Sequence, residues 1–160
     1  MADVAVVAHS RKSFGGGLPE LRKILAREGV TDPLWYEVKK SRRAPSCARR
    51  AAAKGADVMF VWGGDGTVQR CIDAVAGTDT AVAILPAGTA NLLAANLRIP
   101  HDLAEAARVG LHGDRRRLDI RFGQKVRYEL DGGARPASKK LRIRVHPGSV
   151  TVCVPSGRRE

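Results

Sequence analysis

An α/β fold with a doubly wound, mostly parallel sheet is expected over residues 1–122, on three observations. Apolar runs of strand length alternate with segments of helical periodicity, the order that builds parallel sheets. Residues 4–8, 58–62 and 81–85 are apolar at consecutive positions, as strands buried on both faces are. Two of these runs end in glycine-bearing turns that open directly into helices. Residues 123–160 then change pattern and form a short β extension.

The elements follow in order. Residues 4–8 make a first strand that runs into His9-Ser10-Arg11-Lys12-Ser13-Phe14-Gly15-Gly16-Gly17, a basic loop at a strand's carboxyl end, where open α/β sheets bind ligands. Pro19, then Leu21, Ile24 and Leu25, with Gly29 beyond, describe an amphipathic helix. Residues 34–38 are the second strand. Pro45 precedes an alanine- and arginine-rich helix over 46–54 that Gly55 stops. The strand 58–62 leads into Gly63-Gly64-Asp65-Gly66-Thr67, after which Val68, Cys71, Ile72 and Val75 mark one face of a helix from 68 to about 76. The strand 81–85 leads into Pro86-Ala87-Gly88-Thr89-Ala90-Asn91, and Leu92, Leu93 and Leu97 continue as a helix that Pro100 stops. Asp102 and Glu105 have the spacing of a capping box for a helix ended by 110–113. Residues 118–120 read as a short strand. In the extension, 126–130, 141–145 and 150–154 read as strands separated by turns such as Asp131-Gly132-Gly133.

The glycine turn carries the chemistry. Gly63, Gly64 and Gly66 lack Cβ, so the backbone can turn sharply and expose amides, and the helix N-terminus behind them attracts an anion. Asp65 beside a phosphate would be repulsive unless a cation lay between them, which points to Mg²⁺. Thr67 is placed to be the helix N-cap or to bond a phosphate oxygen. An ordinary strand-to-helix turn, with Asp65 solvated and Thr67 a cap, explains the same residues.

Taken together, Gly-Gly-Asp-Gly-Thr and, about twenty residues later, Gly88-Thr89-Ala90-Asn91 resemble the catalytic domain of the diacylglycerol kinase family. The first motif alone is shared with NAD kinases, which would carry Gly-Ile-Asn in place of the second. The resemblance implies the N-terminal lobe of the NAD kinase and diacylglycerol kinase fold, joined to the end of a truncated second lobe. It also implies ATP and Mg²⁺, with a lipid alcohol such as diacylglycerol as acceptor. Gly63, Gly64, Gly66 and Thr67 would contact the phosphates, and Gly88, Thr89 and Asn91 would complete the nucleotide site. Asp65 and Asp119 would organise the metal. Asp131, in an Asp-Gly turn, would be the general base beside a catalytic Asp65; Gly133 stands where the family has glutamate. His9 stands where the family has an asparagine and is a candidate nucleotide contact or an ordinary loop histidine. Most of the second lobe has no counterpart between Asp119 and Val126, so the resemblance leaves open a lipid kinase, a nucleotide-binding remnant of one or, disfavoured by Gly88-Thr89-Ala90-Asn91, an NAD kinase.

Composition bounds the partners. The 160 residues suit one ordinary domain, and 28 Lys and Arg against 16 Asp and Glu give a net charge of +12, attractive to nucleotide phosphates, an anionic membrane surface or nucleic acid. Lys39-Lys40, Arg42-Arg43, Arg115-Arg116-Arg117 and Lys139-Lys140 read as solvated clusters, and 4% aromatics leave little for bases to stack on, which argues against nucleic acid. Cys47, Cys71 and Cys153 are odd in number and lack metal-ligand spacing, which fits a reduced cytosolic compartment. No run approaches transmembrane length. A chain of this kind would meet lipid from the water side, in the cytoplasm or at the inner face of the membrane. Unpaired edges in the extension make a homodimer a reasonable expectation.

Overall fold

The apolar runs pack side by side because none has a polar side to turn towards water. A computed structural model of the chain describes residues 3–117, 129–130, 133–134 and 150–156. In chain order its elements are β1 (Val4–His9), α1 (Gly17–Arg27), β2 (Leu34–Val38), a 3-10 turn (Ser41–Arg43), α2 (Ala44–Ala53), β3 (Val58–Gly63), α3 (Asp65–Val75), β4 (Ala81–Pro86), α4 (Leu92–Asn96), α5 (Leu103–His112), β5 (Asp114–Arg117), β6 (Glu129–Leu130), β7 (Gly133–Ala134) and β8 (Thr151–Val154). The main sheet has the order β2-β1-β3-β4-β8-β5. Every pair in it is parallel except β5 with β8.

β1, β3 and β4 are buried at every position, while β2 at the edge is only half-buried over most of its length. The order reverses between β1 and β3: one crossover leads outward to β2, and the next leads the other way through β3 to β4. In open α/β sheets this switch point is where ligands collect beyond the carboxyl ends of the strands. α2 packs with α3, and α1 with α5. The inner side of α1 is Leu21, Ile24 and Leu25, and that of α2 is Ala44, Ala48 and Ala51. The small alanines let α2 lie close to the sheet.

Several boundaries differ from expectation for identifiable reasons. α3 begins at Asp65, not Val68, because the chain takes helical geometry as soon as Gly64 has turned it. α2 begins at Ala44, which puts Pro45 in the first turn, where its missing N–H costs nothing. Asp102 caps α5 as its spacing suggests, accepting from the Glu105 amide at 2.9 Å. Gly110 does not end that helix; it is buried inside it, facing the Phe60 ring and Ala83, and Gly113 is the cap. Residues 114–117 form a strand where a solvated basic cluster was expected; Arg115 and Arg116 are exposed on it. The sequence groups residues 150–154 with the β extension, but Thr151–Val154 lies in the main sheet between β4 and β5. The expected strands 118–120 and 141–145 lie outside the described residues.

A polar tie crosses the helical layer. Arg108 Nε and His112 Nε2 of α5 approach the Glu28 carboxylate, just after α1, at 3.3 and 3.0 Å. The His112 bond first, and the Arg108 bond second, hold the Glu28 carboxyl below its ordinary range. A carboxyl so lowered stabilises the folded chain fully above its unfolded pKa and loses that contribution as pH falls through the folded value. Glu28→Gln should therefore flatten the acid side of the melting-temperature profile.

Gly110→Ala would drive a methyl group into the Phe60 ring and the Ala83 methyl. Overpacking of this kind costs about 1–3 kcal/mol. Urea denaturation should show the midpoint lowered accordingly with the slope unchanged.

Candidate functional site

Two strand-to-helix turns meet at the carboxyl ends of β3 and β4, and glycine is what lets them meet. Gly63 pairs with Pro86 across the last rung of the β3–β4 ladder, and the Ala87 amide donates to the Gly63 carbonyl at 3.1 Å. Beyond that rung the backbones of Gly64 and Gly88 touch. A Cβ on Gly64 would lie 3.1 Å from the Gly88 Cα, and one on Gly88 would overlap both the Gly64 Cα and the Asn91 Oδ1. Gly63 is required by a different neighbour: its missing Cβ is where the Thr67 side chain packs.

Asn91 holds the second turn from inside. It adopts the left-handed conformation (φ 49°), which asparagine tolerates better than most residues. Its Oδ1 accepts from the Gly88 amide at 2.9 Å, and its Nδ2 donates to the carbonyls of Pro86 (3.1 Å) and Gly88 (2.8 Å). Asn91 is buried and thus spent on the turn, whereas Thr89 is exposed. Asp65 joins the two turns: its Oδ1 accepts from the Leu93 amide of α4 at 3.3 Å. Its second carboxylate oxygen has no hydrogen-bond partner among the described residues.

The start of α3 offers a place for an anion. The Thr67 and Val68 amides both turn back onto the Gly64 carbonyl, at 2.9 and 3.1 Å. The Asp65 and Gly66 amides have no acceptor in the helix, as first-turn amides do not. With the partial positive charge of an eleven-residue helix behind them, they suit a phosphate. A Cβ on Gly66 would meet nothing within 4 Å. Of the four glycines in the two turns it is the one that neither packing nor a left-handed backbone requires, and the space above it is open.

Thr67 departs from expectation. The N-cap of α3 is Gly64, not Thr67, because the helix starts earlier. Thr67 is buried, and its hydroxyl lies 2.9 Å from the Ser41 hydroxyl. That contact brings the 3-10 turn after β2 against the glycine turn. Ser41 was not singled out from the sequence; its position just beyond the carboxyl end of a parallel strand was the available signal.

The loop after β1 lies beside these turns. His9 is buried and its Nδ1 accepts from the Arg11 amide at 3.3 Å, which fixes the ring as part of the loop's own geometry. The indole of Trp62, fully buried in β3, donates to the Lys12 carbonyl at 3.0 Å, and Phe14 packs on the Trp62 ring with centroids 6.0 Å apart. Arg11 and Lys12 are exposed on the loop thus pinned.

Asp119 and Asp131 lie outside the described residues. Among the described residues no cluster of three or more His, Cys, Asp or Glu side chains could hold a metal. Asp65 alone is compatible with Mg²⁺, which takes one or two carboxylates and completes its shell with water and phosphate oxygens. Burial pushes the Cys71 thiol up to about 12 and Cys153 up to about 11, so neither is a nucleophile at neutral pH.

Residues 8–122 match the family described as the diacylglycerol kinase catalytic domain. A diacylglycerol kinase of Mycobacterium tuberculosis is 44% identical over 57 residues, covering 36% of this chain and 18% of that protein. One from Staphylococcus saprophyticus is 32% identical over 112 residues, covering 69% and 36%. The crystal structure of a diacylglycerol kinase from Bacillus anthracis superposes with a TM-score of 0.63 at 25% identity, over 74% of this chain and 44% of that one. The chain spans less than half the length of these relatives.

The packing argument separates the glycines. Gly88→Ala should lower the unfolding free energy by about 1–3 kcal/mol through overpacking. Gly66→Ala should leave stability unchanged or raise it by up to about 1 kcal/mol, since alanine is the better helix residue. Equal losses in thermal denaturation would contradict this division.

Proposed function

As a member of the diacylglycerol kinase catalytic-domain family, the chain is one for which we propose binding of ATP with Mg²⁺ and transfer of the γ-phosphoryl group to a lipid alcohol of the diacylglycerol class. The observation that carries the reading is the open face above Gly66, where two helix N-terminal amides with no acceptor among the described residues stand beside the Asp65 carboxylate. The Asp65 and Gly66 amides would bind phosphate oxygens, and Arg11 and Lys12 would add charge from the neighbouring loop. Thr89, the exposed hydroxyl of the second turn, would contact the same nucleotide. His9 would border it.

Gly63, Gly64, Gly88, Asn91 and Thr67 support the site and hold its two turns together. Asp65 would hold Mg²⁺, with Asp119 as a second carboxylate on the strength of the resemblance. The metal, when bound, supplies positive charge to the transferring phosphoryl group. Amides already fixed by helix geometry need little reorganisation to stabilise the same charge. Asp131 is proposed, again from the resemblance, to take the proton of the acceptor hydroxyl.

A second reading is favoured by the share of its relatives that the chain covers: it would bind the nucleotide without transferring phosphate. Calorimetry with ATP and Mg²⁺, run beside phosphorylation of diacylglycerol in mixed micelles, separates the two, because binding without turnover supports the second. Offering NAD as acceptor tests the related NAD kinase activity, for which no turnover is expected. Asp65→Asn keeps an acceptor for the Leu93 amide and removes the charge. Turnover should fall by about 10²–10³-fold, the scale on which loss of one electrostatic contact to a transition state is felt. Unchanged Mg²⁺-dependent turnover in Asp65→Asn would reject the assignment of the metal to this carboxylate.

A further inference from the structure

We propose that the outer face of the segment from Lys39 to Lys54 docks the protein onto an anionic lipid bilayer. The proposal deepens the functional reading above and rests on its lipid acceptor, which would be presented in such a surface. Between Glu37 and Asp57 the chain carries seven basic residues and no acidic one. Lys39, Lys40, Arg42, Arg43, Arg49 and Lys54 are exposed, and none of them forms an ion pair among the described residues. The seventh, Arg50, is also exposed and lies over the Tyr36 ring, 5.3 Å from its centroid.

The fold gathers these charges on one side. Ala44, Ala48 and Ala51 face the sheet, so helical spacing turns Ser46, Arg49, Arg50 and Ala53 outward, in line with Arg42 and Arg43 of the preceding turn. The interior side is built from alanine and the exterior side has only positive charge. α2 itself carries Arg49 and Arg50, and with Lys39, Lys40, Arg42, Arg43 and Lys54 on either side of it the cluster has the four to eight Lys or Arg that anionic headgroups attract. Segment 39–54 contains no aromatic residue on which a base could stack, which favours a bilayer over nucleic acid. Among the described residues no helix is long and apolar enough to cross a membrane, so contact through this face would be peripheral.

The face is continuous with the site. Ser41, in the middle of its basic run, bonds Thr67 of the glycine turn. Lys39 and Lys40 follow β2 at the carboxyl edge of the sheet. A bilayer lying on this face would therefore have the phosphate-binding turn beside its headgroups.

Cosedimentation of the full chain with phosphatidylcholine vesicles, with and without phosphatidylserine, tests the proposal. Binding is expected to the anionic vesicles alone and should weaken at about 0.5 M salt, where screening is short-ranged. The triple variant R42Q/R43Q/R49Q should lower the bound fraction's partition constant by about tenfold or more. K23Q/R27Q/R98Q, which removes the same charge elsewhere on the surface, should change it by less than about twofold. Equal loss in both variants, equal binding to neutral vesicles, or displacement of vesicles by a double-stranded oligonucleotide at equal phosphate concentration would overturn it. Calorimetry with ATP and Mg²⁺ on the same proteins keeps the two readings apart. A first triple variant that binds ATP normally but not vesicles supports the docking face. Vesicle binding by a wild-type chain that ignores ATP removes the kinase reading and leaves the docking face standing.

Discussion

The structure around the site depends on one close approach, that of the Gly64 and Gly88 backbones. Two strands in a parallel sheet can be followed by helices on the same rim without those helices ever sharing a ligand. Here the absence of two Cβ atoms lets the turns touch, and Asp65 then reaches from the start of α3 to the first turn of α4. A carboxylate held by an amide of one turn while standing at the head of the other helix has its position set by both. Everything proposed for phosphate and metal depends on that placement.

The polar residues of the two motifs divide into those turned inward and those left open. Asn91 spends its amide group on Gly88 and Pro86, and Thr67 spends its hydroxyl on Ser41. Buried polar groups are held this way because an unpaired one would cost more than the turn could recover. What remains accessible is backbone amide, the Thr89 hydroxyl and one oxygen of Asp65. The site is therefore a rigid scaffold with few exposed functional atoms, which suits recognition of a phosphate chain shared by many nucleotides.

Charge follows a similar division. The edge strand β5 carries exposed arginines beside β8, and positive side chains on a sheet edge discourage pairing with another chain. On α2 the same residue types cover a helix whose other side is alanine. Both were visible in the sequence as basic clusters, yet they sit in different settings: one on a sheet edge, the other along a helix whose preceding turn touches the glycine turn through Ser41 and Thr67.

The sequence by itself determined the three central apolar strands, the alternation with helices and the two turn motifs, because continuous burial and glycine punctuation are local and leave a direct mark on residue type. It also determined the Asp102 cap, whose geometry spans three residues. Only the tertiary structure decided which glycines serve packing and which leaves space: Gly63, Gly64 and Gly88 meet atoms distant or folded back in the chain, and Gly66 meets none. It alone decided that Gly110 lies under Phe60, that Thr67 faces Ser41, and that residues 151–154 enter the main sheet next to β4. Each of these depends on contacts between segments far apart along the chain, and no local pattern of residues encodes a partner fifty or seventy positions away.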